Sequence, residues 1–246
     1  MDKTNYTYWL PNNEGKPAEH NTFSNSVIFI GANGAGKSRL GAWIEQQKTS
    51  EVHRIGAQRN LNFDEHIPLK SYQESEELVL YDNTTLDNRK SKIFKFGLPA
   101  KDMYVTHVFN DFNNVLSALI AKTGNEEHNY VERCKQAETK SLEKPSVPVS
   151  DIDKLKIIWN DIFPHRKLEY KDYSFYAVDP SSPDTENYSA TKMSDGERSA
   201  LYFIAQVLCV PQKKILLVDE PELHLHKSLM NRLCVSVGRF QPLRVR

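Results

Sequence analysis

Gly31-Ala-Asn-Gly-Ala-Gly-Lys-Ser38 is the stretch from which the fold can be read. It fits G-x-x-x-x-G-K-[ST], where glycines let the backbone wrap so that several N–H groups face one phosphate chain. The run before it, Ser26-Val-Ile-Phe-Ile30, is short, apolar and rich in β-branched residues, which predicts a buried strand. The run after it, Lys37 to Gln47, sets Leu40, Trp43 and Ile44 on one face of a helix. Strand, loop and helix together predict a seat for the phosphates of a nucleoside triphosphate such as ATP. Gly31, Ala32, Asn33, Gly34, Ala35 and Gly36 line it with backbone. Lys37 is the mobile cation for the β- and γ-phosphates. Ser38 offers a hydroxyl to Mg2+, and Arg39 follows in the first turn, where the helix dipole favours anions.

A second apolar run, Ile215-Leu-Leu-Val-Asp-Glu220, ends in two carboxylates before Pro221. A parallel strand brings its C-terminal end to the sheet edge that carries the phosphate loop. Asp219 there is the candidate Mg2+ partner, and Glu220 the candidate general base for an attacking water. Between the two runs lies Met193-Ser-Asp-Gly-Glu-Arg198. Ser194 and Glu197 form an S-x-x-E capping box, so a helix starts here. The Ser194 hydroxyl, the uncovered N–H groups around Gly196 and the helix dipole predict an anion site.

In this order the three motifs resemble the ABC-class ATPases. Within that class, Asp219-Glu-Pro-Glu-Leu-His-Leu-His226 looks like the OLD, RecF and SMC-related soluble ATPases rather than transporters. Val108-Phe-Asn-Asp-Phe112 looks like antiphage relatives of the Septu and PARIS kind. The resemblance implies a P-loop NTPase of ABC type: an α/β fold with a mixed sheet, flanking helices and a helical insert. It implies one domain over 1–246, with a core lobe at 1–108 and 168–246 and the insert at 109–167. Two copies would pack head to tail, with Ser194, Gly196 and Glu197 of one meeting the γ-phosphate held by the other. A glutamine sensing Mg2+ is implied as well. Gln58 ranks first for that role, ahead of Gln73, Asn110 and Asp111. The switch histidine of the class has no counterpart after His226, so the C-terminal part of the core is expected to be short and hydrolysis impaired. No nuclease motif is read in the chain. The expected function is therefore ATP-dependent control of a separate effector, a nuclease, in antiphage defence. A nucleotide-dependent scaffold with little hydrolysis and a RecF- or SMC-like DNA repair ATPase are the alternatives.

Composition agrees with a globular chain. The 246 residues suffice for one large domain or two small ones, and 10% aromatic content argues against disorder. Lys+Arg and Asp+Glu are 32 each, which removes a whole-chain electrostatic case for membrane or nucleic acid and leaves only a local surface for DNA. Cys134, Cys209 and Cys234 have no metal-type spacing, and no secretory signal or membrane span is read, so a cytoplasmic location is expected.

Other segments carry weaker expectations. His224 and His226 make a weak metal pair and are better read as part of a turn facing a partner subunit. Tyr8 and Trp9 are better read as packing residues than as an adenine platform. Lys90, Lys92 and Lys95 read as a solvated edge strand. Strands are predicted at Tyr6–Leu10, Val52–Ile55, Glu77–Tyr81, Lys92–Phe96 and Tyr170–Val178. Helices are predicted at Phe109–Lys122, Asn125–Lys144, Asp151–Phe163, Asp195–Leu208 and from about Leu223. The stretch from Cys234 onward, interrupted by Gly238 and Pro242, is predicted to be neither helix nor strand.

Overall fold

The computed structural model describes residues 6–24, 27–82, 92, 95, 107–179, 188–211, 214–221 and 227–240. The chain begins with an antiparallel hairpin, β1 (Tyr6–Pro11) and β2 (Pro17–Thr22), whose turn is held by Asn12. Helix α1 (Lys37–Gln47) follows the phosphate loop and packs on β3 (Val52–Ile55). Next come α2 (Tyr72–Tyr81), α3 (Phe112–Thr139) and α4 (Asp151–Ile162). A small antiparallel sheet then forms from β4 (Lys167–Lys171), β5 (Ser174–Val178) and β6 (Tyr188–Ser189). Helix α5 (Asp195–Cys209), strand β7 (Ile215–Val218) and helix α6 (Lys227–Phe240) complete the described chain.

The strand that carries the acidic pair is placed by one ladder. β3 and β7 run parallel in the register Val52↔Ile215 to Ile55↔Val218. Hydrogen bonds from Ile215 N to Glu51 O (2.7 Å) and from Asp219 N to Ile55 O (3.0 Å) extend it at both ends. All four residues of β3 are buried, as a short run covered on both faces requires. Ile44, Val52, Ile215 and Leu217 form a small apolar cluster beneath α1, and Leu10, Leu40 and Trp43 pack against it. The larger core centres on α5, which is buried from Ser199 to its end. Phe112, Leu116, Leu155 and Trp159 of α3 and α4 meet it there. A helix apolar on nearly every face survives only inside such a core.

Several predicted elements differ. Among the described residues the strands form three separate sheets rather than one mixed sheet. Residues 27–30 are not a buried strand: among the described residues they join no ladder, and Ile28 is 79% and Ile30 93% exposed. An apolar run becomes a strand only where an edge receives it, and the described ladder of β7 is made with β3. Glu77–Tyr81 is the end of helix α2, whose start is capped by Ser71 accepting from Glu74 N. That cap, with Ser75, Val79 and Leu80 turned inward, overrides the β-like composition. The two helices predicted at Phe109–Lys122 and Asn125–Lys144 are one, α3, unbroken from Phe112 to Thr139. Tyr170–Val178 is two strands around a turn at Asp172 and Tyr173, both at positive φ. The segment from Cys234 is helical through Phe240, with Gly238 inside the helix. Leu223, His224, His226, Lys90 and Pro242 lie outside the described residues.

The basic run is the sharpest correction. Lys92 and Lys95 are buried rather than solvated, and Lys95 is helical rather than extended. Lys92 Nζ donates to Glu45 Oε1 (2.5 Å) and Val52 O (2.6 Å), while Arg54 Nε donates to Glu45 Oε2 (3.0 Å). One carboxylate of α1 thus holds two buried cations against β3. Burial still pulls the Lys92 ammonium down to about 8. Removing the shared anion leaves both cations uncompensated. Glu45→Gln is therefore expected to destabilise the fold by about 3–5 kcal/mol. Denaturant unfolding checks this, and an unchanged midpoint refutes it.

Candidate functional site

The phosphate loop is built by two glycines in the left-handed region, Gly34 at φ 80° and Gly36 at φ 89°. A side chain at either position is strained, and Gly36 is also the N-cap of α1. Ala35 N bonds Ala32 O (3.1 Å), closing the turn, and Leu40 N bonds Gly36 O (2.8 Å), opening the helix. Lys37 Nζ folds back to donate to Gly31 O (2.9 Å) and Ala32 O (3.1 Å). A phosphate entering the loop offers that ammonium charged acceptors in place of neutral carbonyls, which makes stronger hydrogen bonds.

Lys37 faces a cleft of about 480 Å³, a volume suited to a small ligand. Gly31, Asn33, Asp219 and Glu220 line it too, with Ile28 and Leu217 on its apolar side. The ladder from β3 brings Asp219 there. Asp219 Oδ2 is buried and has no hydrogen-bond partner among the described residues. A buried carboxylate oxygen left without a partner costs free energy, which a bound cation offsets. The Asp219 and Glu220 carboxylates are hard oxygen donors of the kind Mg2+ takes, whereas Ser38, half-buried in the first turn of α1, is not among the residues that line the cleft. Glu220 has φ 45° and precedes proline. Such a residue prefers extended backbone, so the conformation stores about 1–3 kcal/mol. The turn also breaks strand alternation, and Asp219 and Glu220 line the same cleft instead of opposite faces. Arg39 is exposed on α1 and does not line the cleft.

The other predicted residues lie elsewhere. Ser194 caps α5 in a reciprocal box: Ser194 Oγ accepts from Glu197 N (3.3 Å), and Ser194 N donates to Glu197 Oε2 (2.9 Å). Ser194 Oγ also donates to that carboxylate oxygen, at 2.7 Å. The expected anion site therefore already holds an anion from its own chain, and an arriving phosphate must displace it. Ser194, Gly196 and Glu197 do not line the cleft of their own chain. Gln58 is exposed and also outside it; its carbonyl accepts from Phe109 N (3.0 Å). Gln73 donates to Glu77 along α2, and Asn110 accepts from Asn60. Tyr8 stacks on His20, and Trp9 lies under the Lys48 ammonium, so both belong to the hairpin rather than the cleft. Among the described residues no three of His, Cys, Asp and Glu gather into a metal cluster.

A buried polar network beside the cleft escaped sequence reasoning. Asp111 accepts from Tyr202 OH (2.7 Å) and from Gln206 Nε2 (3.0 Å), and Gln206 Oε1 meets His53 Nε2 (2.8 Å). Burial, then Lys95 and Lys92, push the His53 pKa well down, so the ring is neutral there. Phe109 packs directly on Gly56, where a Cβ would fall 2.0 Å from its ring. The run 109–112 was visible in the sequence, yet its structural role was not. Neither Arg59 nor His53 shows any spacing that marks it.

The model of one protein family, described as "AAA domain, putative AbiEii toxin, Type IV TA system", matches residues 46–242. No curated protein and no solved structure matches the chain. The match begins after the phosphate loop, so motif and family support each other independently. No helix among the described residues is long and apolar enough to cross a membrane. With a phosphate loop, an acidic strand end and a family match over more than half its length, the chain belongs to this family of AAA domains and is a nucleotide-binding ATPase domain.

Proposed function

We propose that this domain binds ATP in the cleft between the phosphate loop and the end of β7, hydrolyses it, and uses the cycle to join and release a second copy of itself. The observation that carries this reading is that Lys37, Asp219 and Glu220, from distant parts of the chain, line one cleft. Backbone N–H groups of the loop and the Lys37 ammonium bind the phosphates and stabilise the charge that develops on transfer. Ser38 and Asp219 would hold Mg2+, which would supply neutralisation of the phosphate charge. Glu220 accepts a proton from the attacking water, whose oxygen bonds the γ-phosphorus as the bond to ADP breaks. Ser194 and Gly196 act on the nucleotide of the partner copy.

The finer biological role follows the same line. The domain controls a separate effector, a nuclease, in a cytoplasmic antiphage system akin to the Septu and PARIS kind. The family description names a putative toxin and a toxin–antitoxin system, and no nuclease. A second reading, a nucleotide-dependent scaffold with slow turnover, is favoured by one observation: Glu197 occupies the Ser194 hydroxyl. Light scattering after size exclusion tests the dimer. Glu220→Gln with ATP and Mg2+ is expected to run at twice the monomer mass, and without nucleotide as a monomer. A monomer in both conditions overturns the head-to-tail reading. Turnover typical of ATPases, on the order of 1 s⁻¹ or above, overturns the scaffold.

A further inference from the structure

Arg59 is 7% exposed and stands between two parts of the molecule that the proposed cycle must connect. Arg59 NH1 donates to Gly56 O (3.1 Å). Gly56 follows Ile55, whose carbonyl holds the amide of Asp219 (3.0 Å). On the other side Arg59 NH2 donates to Ser199 Oγ (3.3 Å), in the second turn of α5, the helix that Ser194 caps. Ser199 is fully buried. Ser199, Tyr202 and Gln206 make a polar stripe on an otherwise apolar helix, at spacings that share one face. Arg59, Asp111 and His53 contact that stripe, and the Arg59 guanidinium lies 5.9 Å from the Tyr202 ring.

We infer that Arg59 is a positioning residue that couples the Asp219 end of the cleft to the N-terminal turns of α5. The inference rests on the nucleotide reading above. The path is one of hydrogen bonds: the Asp219 amide sits on Ile55 O, the adjoining Gly56 carbonyl receives Arg59, and Arg59 reaches Ser199 Oγ. A ligand that draws on the end of β7 moves the backbone at Ile55 and Gly56, and with it the guanidinium between Gly56 and Ser199. The N-terminal turns of α5 then respond to what the cleft holds, before any partner copy arrives. Lysine carries the charge but lacks the planar fork that reaches both acceptors.

Hydrogen exchange of the amides at 196–200 tests this, using the full chain with ADP and Mg2+. ADP lacks the γ-phosphate that the contact between copies requires. Binding is expected to change exchange at these amides by about fivefold or more in the wild type, a usual size for coupled sites. In Arg59→Lys and in Ser199→Ala the change is expected to vanish, with the ADP dissociation constant within about twofold of wild type. Ser199→Ala deletes a single oxygen and serves if Arg59→Lys does not fold. A variant that retains the full change overturns the inference, as does a wild type that binds ADP without it. A wild type that binds neither ADP nor ATP overturns the nucleotide reading, and the inference falls with it.

Discussion

Lys37→Ala is expected to bind ATP roughly 30- to 4,000-fold more weakly than the wild type. Removing one partner of a close charge pair costs about 2–5 kcal/mol, and each 1.4 kcal/mol is about tenfold. The fold should survive, because Lys37 is only half-buried and its two bonds go to carbonyls of its own exposed loop. Lys37→Arg should not restore binding. A planar guanidinium cannot take the place of a compact ammonium in so tight a loop. Titration with a fluorescent ATP analogue measures the loss, and thermal melting checks the fold. An unchanged dissociation constant with an intact fold removes the phosphate loop from the site.

Glu220→Gln is expected to lower kcat by about 10²–10⁴, the usual contribution of a positioned general base. ATP affinity should stay within a few-fold, since the variant keeps the side-chain shape and the other charged groups of the nucleotide seat, Lys37 and Asp219. The backbone turn at φ 45° is also kept, so the change isolates the carboxylate from the strained conformation that aims it. Steady-state turnover with excess Mg2+ makes the comparison. Equal kcat in the two proteins assigns the proton transfer to another group. Together the two variants separate binding from chemistry: the first loses affinity, and the second loses turnover on a nucleotide it still holds.

The candidate site was legible because its parts carry local chemistry. The glycine spacing of 31–36 is a demand of backbone geometry, and it reappears as two left-handed residues. The S-x-x-E box at Ser194 and Glu197 appears as a reciprocal cap. Lys92 and Lys95 could not be read, because a lysine enters a core only when distant groups receive it. Glu45 and Val52 O serve Lys92, and Val79 O serves Lys95. Glu77–Tyr81 misled for a related reason. Its β-branched and aromatic content is a weak preference that a capped, half-buried helix outweighs.

The sequence by itself determined the phosphate loop, the acidic end of β7, the cap of α5 and the strands β3 and β7, since each is written in neighbouring residues and short-range sterics. Only the tertiary structure decided what those parts meet. It set β3 beside β7, which carries Asp219 into the cleft of Lys37. It left residues 27–30 outside every ladder among the described residues and put Gln58 outside that cleft. It also drew Arg59, Asp111, Tyr202, Gln206 and His53 into one network. The physical reason is that pairing and burial are properties of two surfaces at once, and a sequence pattern describes only one of them.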